Sequence, residues 1–152
     1  MRHTEWIVDA SVAVKRFLIH EELSDHAVEF FEAYERGELL SLAVPEHFFV
    51  ECANVFWKCV TRMSLPKSGA LRHLEILTGL EFEVVRSRSV RRDAMEIGWT
   101  CGISVYDALY VALARSVKRP LLTADAKLVR AARERLHFDG IVWLADWESA
   151  SR

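Results

Sequence analysis

Five short runs rich in apolar residues alternate with longer stretches of helical periodicity, and this alternation constrains the fold more than any other feature. The runs are Trp6–Asp9, Leu39–Val44, Phe82–Arg86, Leu121–Thr123 and Ile141–Leu144. Each has the length of a strand rather than of a buried helix, and each reads as a strand covered on both faces. Strands of this kind separated by helices give an α/β fold: a central parallel sheet of about five strands between two helical layers.

The segments between the runs carry helix signals. Ser11 is placed to cap a helix from Val12 to about Leu18, and Ser24 a second one that Gly37 ends. Pro45 suits the first turn of a helix reaching about Arg62, and Pro66 opens another that stops near Gly79. Ser89 to about Cys101 is helical up to Gly102. Ser104 caps a strongly apolar helix to about Val117, and Asp125 opens a last one to about Arg135. The 152 residues, 51% apolar and 28% charged, suit one domain spanning 1–152 with a full core.

Several function classes are excluded by what the chain lacks. A net charge of −2 argues against a surface coated in positive charge for bulk nucleic-acid binding. Cys52, Cys59 and Cys101 are odd in number and form no Cys-x-x-Cys pair. Neither a zinc cluster nor a disulfide framework is expected, and core packing is the reading for Cys52 and Cys59. The N-terminus has no secretory pattern, and no apolar stretch approaches the roughly 20 residues a bilayer demands. A cytoplasmic location without membrane contact is expected. No G-x-G-x-x-G or Walker-type loop points to a nucleotide cofactor.

Four carboxylates stand in apolar company: Asp9 in "WIVDASVAVKRF", Glu51 in "HFFVECANVFW", Asp107 in "SVYDALYVALA" and Asp125 in "LLTADAKL". Each has a plain structural reading. Asp9 ends a strand, Glu51 points outward, Asp107 completes a capping box with Ser104, and Asp125 caps a helix. Together they point elsewhere. In an open parallel sheet, ligands bind beyond the carboxyl ends of the strands, where the strand order reverses. Asp9 and Asp125 follow strands, and Glu51 and Asp107 sit near helix starts, so all four are expected on one rim. Two carboxylates about 5 Å apart repel by roughly 3 kcal/mol at an effective dielectric near 20. Such a cleft takes up protons or cations, and hard oxygen donors select Mg²⁺ or Mn²⁺.

The same residues, in this order and on these elements, resemble the PIN-domain ribonucleases, and most of all the stand-alone VapC-type toxins. The resemblance covers Ile7 to about Leu144. It implies a PIN-like fold and metal-dependent endoribonuclease activity leaving a 5′-phosphate and a 3′-hydroxyl. It further implies a homodimer and a cognate antitoxin that occupies the acidic cleft. Asp9, Glu51, Asp107 and Asp125 match the family's acidic positions, with Asp9 and Asp107 as direct metal ligands. Ser11 and Thr123 match its accessory hydroxyls, which also have a plain reading as capping and turn bonds.

RNA demands positive charge near such a cleft. Lys15 and Arg16 follow Asp9 by less than two helical turns, and Arg86 and Arg88 begin the densest basic run, "RSRSVRR". His47 precedes Glu51 by one turn, within reach of metal or phosphate. The aromatic residues Phe48, Phe49, Phe56 and Trp57 exceed what one helix face buries, which leaves core and dimer contact both open, as for Trp143 and Trp147. Two rival readings stand beside the nuclease: a phospho-acceptor domain, for which "IVDAS" offers only one acid, and a PIN-like module that holds RNA or protein without cutting.

Overall fold

The computed structural model describes residues 4–149. Its strands are β1 (Glu5–Val8), β2 (Ser41–Pro45), β3 (Glu83–Val85), β4 (Leu121–Thr123) and β5 (Ile141–Trp143). Its helices are α1 (Ala10–Lys15), α2 (Ser24–Glu35), α3 (Phe48–Arg62), α4 (Lys67–Thr78), α5 (Arg91–Cys101), α6 (Val105–Val117) and α7 (Ala126–Leu136). The strands form one sheet in the order β3-β2-β1-β4-β5, and every pairing is parallel. The expected architecture is therefore the observed one, except that the edge strand β3 is largely exposed instead of covered on both faces.

The order follows from chain direction. Two crossovers carry the chain outward from β1 to β3; a third returns it to β4 beside β1, and a fourth carries it on to β5. Right-handed crossovers put the helices of the outward and returning halves on opposite faces. The packing agrees: α1 contacts α2 and α3, α3 contacts α4, and α5 contacts α6 and α7. Ile7, Val8, Leu42, Ala43, Val44, Leu121, Leu122 and Ile141 are wholly buried. Truncating one of the leucines to alanine is expected to cost about 2–5 kcal/mol.

Helix α6 is buried at every position from Ala108 to Ala114, as befits a helix apolar on all sides. Gly102 ends α5 at φ +66°, a left-handed conformation that glycine adopts without strain. Cys52, Cys59 and Cys101 are free and buried. Among the described residues no single helix is long and apolar enough to cross a membrane.

Four local expectations are corrected. The cap of α1 is Asp9, not Ser11: its side chain accepts from the Ser11 N–H, and the helix starts at Ala10 and ends at Lys15, short of Leu18. Ser24 does not cap α2; Leu23 precedes the helix in a left-handed conformation, with no side-chain cap. Pro45 ends β2 instead of opening a helix. It pairs only toward β3, beyond the last β1 partner at Ala43, so its missing N–H breaks no ladder there. The segment Arg88–Val90 is a single 3₁₀ turn leading into α5, so that helix starts at Arg91 rather than Ser89.

The surplus aromatics divide between core and surface. Phe48 and Phe56 are buried, whereas Trp57 is 59% exposed. Trp147 is buried with its ring edge-on to Phe30, and Trp143 is half-buried.

Candidate active site

The sheet order reverses between β1 and β4, and there the chain places Asp9 one residue beyond β1 and Thr123 at the end of β4. Asp9 is 6% exposed. Its Oδ2 accepts from Thr123 Oγ1 at 2.6 Å and from Ser11 Oγ at 2.8 Å. Both hydroxyls are oriented by what they accept: Ser11 Oγ takes the Ala124 N–H and Thr123 Oγ1 the Asp125 N–H. Each hydroxyl can then direct its proton to Asp9, the two oxygens standing 3.4 Å apart. Oδ1 has only a long contact of 3.4 Å from the Ser11 N–H.

Burial pushes the Asp9 carboxyl up from 3.8 to about 6. The Thr123 and Ser11 bonds oppose that rise, and the nearby Glu51 charge adds to it. Asp107 is also raised, first by burial and then by the Glu51 and Asp125 charges, while its bond from Ser104 and the nearby His47 pull it down. The Glu51 charge is thus felt at both Asp9 and Asp107, and the Asp125 charge at Asp107.

Each of the other three acids arrives on the first turn or at the cap of a helix. Glu51 lies in the first turn of α3 and Asp107 in the first turn of α6. Ser104 Oγ donates to Asp107 Oδ2 at 2.7 Å and accepts the Asp107 N–H. The expected capping pair is present, with the hydroxyl rather than the Ser104 backbone N–H as donor to Asp107. Asp125 is the N-cap of α7, its Oδ1 accepting from the Lys127 and Leu128 N–H groups.

Glu51 does not simply point outward. Tyr110 Oη donates to Glu51 Oε2 at 2.6 Å, and His47 Nε2 stands 3.2 Å from the same oxygen without an aligned hydrogen bond. Burial and the Asp9 and Glu51 charges raise the Tyr110 phenol, so it stays a donor. Tyr110 was not singled out by sequence. The available signal was a hydroxyl-bearing residue inside an apolar helix, where a buried O–H requires a partner.

In all four acids one oxygen carries the main bonds within the protein: Oδ2 of Asp9 and of Asp107, Oε2 of Glu51 and Oδ1 of Asp125. Four carboxylates, each with its second oxygen open or weakly engaged, suit a hard divalent cation. The burial that lifts Asp9 and Asp107, with the Glu51 charge adding to it, disfavours their ionised forms, and a cation at this place would offset that cost. Among the described residues no group of three acidic, His or Cys side chains by itself forms a site for a metal ion. An ion at this place would therefore need water to complete its shell, as Mg²⁺ characteristically does.

The basic residues fare unequally. Lys15 pairs with Glu21 at 3.2 Å, and Arg16 with Glu35 at 2.6 Å while lying over the Phe31 ring. Both are engaged away from Asp9. Arg86 and Arg88 are exposed beyond the end of β3. Between them, Ser87 donates to Glu46 through both its N–H and its hydroxyl.

The family model for the PIN domain matches residues 6–134. Ribonuclease VapC3 of Pyrobaculum aerophilum is 34% identical over 125 residues, which is 80% of this chain and 90% of that protein. The crystal structure of PAE2754 from Pyrobaculum aerophilum superposes with a TM-score of 0.66 at 22% identity, over 95% of this chain and 93% of that one. A toxin–antitoxin complex from Klebsiella pneumoniae gives a TM-score of 0.58 at 14% identity, over 91% and 96%. The two solved structures bear on the fold alone.

Proposed function

The chain belongs to the PIN-domain family, and on that premise we propose that it is a metal-dependent endoribonuclease acting as the toxin of a toxin–antitoxin pair. The relative named a ribonuclease is matched over most of both chains, which supports the reaction class. The observation that carries the reading is Asp9: buried, clasped by two hydroxyls through one oxygen, and raised to about 6 beside a second carboxylate. A carboxylate kept in such a place without a basic partner is a functional candidate rather than a structural one.

Asp9 and Asp107 would hold Mg²⁺ or Mn²⁺, with Glu51 and Asp125 completing the site directly or through water. Bound there, the ion lowers the pKa of a coordinated water and offsets charge on the phosphate oxygens. Ser11 and Thr123 orient Asp9, a task that outer hydrogen bonds perform in metal sites generally. Arg86 and Arg88 are exposed and could meet the RNA backbone, Arg86 close enough for its charge to act on Glu46, whereas Lys15 and Arg16 must first leave their carboxylate partners. A homodimer and an inhibitory antitoxin belong to the same reading. Val50, Trp57, Met63 and Leu71, exposed on and beside α3 and α4, offer apolar surface for such contacts.

The test is cleavage of labelled RNA with Mg²⁺ or Mn²⁺, against EDTA, for wild type and Asp9→Asn. Metal-dependent cutting that Asp9→Asn abolishes is the expected result. Wild-type rates in the Asn variant overturn the assignment. RNA binding without cleavage in any metal makes the protein a non-catalytic module.

A further inference from the structure

We propose that Tyr110 is the positioning residue of this site: its phenol holds Glu51 by Oε2 and turns Oε1 toward the divalent cation. This rests on the metal-dependent reading above and adds a residue to it.

Glu51 is a long side chain at the start of α3, half-buried and otherwise free to sample several rotamers. A cation ligand of that kind binds well only if something fixes it beforehand. Among the described residues Tyr110 donates its one hydrogen bond, a short one to a carboxyl oxygen at 2.6 Å. The His47 ring stands 5.1 Å from the Tyr110 ring, and its Nε2 approaches the same Oε2 out of line. Both neighbours therefore crowd one oxygen and leave the other.

The tyrosine itself is wholly buried, in the middle of the stretch of α6 that is buried at every position from Ala108 to Ala114. It also stands three residues after Asp107, on the same face of α6. One helix thus delivers an acid to the site and the group that aims an acid on another helix. The bond spans 59 residues of chain and crosses from α6 to α3. This is the same device as the Ser11 and Thr123 bonds on Asp9: one oxygen is tied down and the other is presented.

The test uses the full-length protein and Mn²⁺ affinity by calorimetry, a readout independent of cleavage. Phenylalanine keeps the ring and its packing, so Tyr110→Phe is expected to fold with an unchanged circular dichroism spectrum. Its Mn²⁺ affinity is expected to fall about ten- to a hundredfold, the usual effect of removing a group that orients a metal ligand. Glu51→Gln is expected to lose affinity as well, and the double variant no more than Glu51→Gln alone, because the tyrosine acts only through the glutamate. A folded Tyr110→Phe with wild-type affinity, or losses that multiply in the double variant, overturns the role of Tyr110 while leaving the metal site standing. Wild-type affinity in Glu51→Gln overturns the role of Tyr110 together with the place of Glu51 among the ligands, and loss of Mn²⁺ binding in Asp9→Asn remains the separate test of the metal site.

Discussion

Thr123 Oγ1 donates to Asp9 Oδ2 at 2.6 Å, joining residues 114 apart in sequence. The bond ties the end of β4 to the end of β1 at the place where the sheet order reverses. The Thr123 side chain is wholly buried and also accepts the Asp125 N–H. One hydroxyl therefore orients the deepest acid of the site and anchors the turn that delivers the last one.

Thr123→Val preserves shape and removes both bonds. The buried Asp9 loses a donor and the Asp125 N–H loses its acceptor, so a loss of about 1–3 kcal/mol in urea denaturation is expected. The Asp9 carboxyl should rise above its already elevated value, since the Thr123 bond is the largest influence lowering it. A variant as stable as wild type would show that the bond contributes nothing net.

Asp9 makes stability pH-dependent in a direction opposite to that of a paired surface carboxylate. Its pKa in the fold is about 6 against an ordinary 3.8. The folded protein therefore holds the proton more tightly than the unfolded chain. Stability from this group is fully present below pH 3.8 and is lost as pH rises to about 6. That gap corresponds to about 3 kcal/mol. In EDTA at pH 7.5, Asp9→Asn is thus expected to be more stable than wild type. Saturating Mn²⁺ should narrow or reverse the difference by stabilising wild type alone. An Asn variant less stable than metal-free wild type would contradict this account.

The basic residues divide by the company they keep. Lys15 and Arg16 are held by Glu21 and Glu35, so their alanine variants should change RNA affinity little. Arg86→Glu and Arg88→Glu alter exposed charges at the end of β3. They should weaken binding and reduce the slope of log affinity against log salt by about 1 for each phosphate that goes unneutralised. Filter binding across a salt series separates the two pairs; a larger effect at Lys15 would mean that RNA displaces Glu21.

Much of this was legible in the sequence because it follows from local rules. Apolar runs marked the strands, and the same runs made the isolated acids conspicuous. Gly102 and Ser104 signalled the end of one helix and the start of the next. What was hidden depended on tertiary choice. Asp9 and Ser11 are both good caps, and only the geometry of α1 shows that Asp9 takes the role. Pro45 is as acceptable at the end of a strand as at the start of a helix, and the register with β3 decides. The partners of Lys15 and Arg16 come from a loop and from the end of α2. The Tyr110 bond to Glu51 joins two helices whose meeting no periodicity encodes.

Asp125 serves two roles that one pair of variants can separate. Its Oδ1 caps α7 through the Lys127 and Leu128 N–H groups, and its charge reaches Asp107. Asparagine caps nearly as well as aspartate, whereas alanine does not, and losing a cap costs about 1 kcal/mol. Asp125→Asn should therefore melt close to wild type, and Asp125→Ala should be less stable by about that amount. If Asp125 also completes a metal site, both variants should lose Mn²⁺ affinity and cleavage to a similar degree, because both remove the charge. Full activity in Asp125→Asn, with a deficit only in Asp125→Ala, would assign this residue to the helix and leave the chemistry to the other three acids.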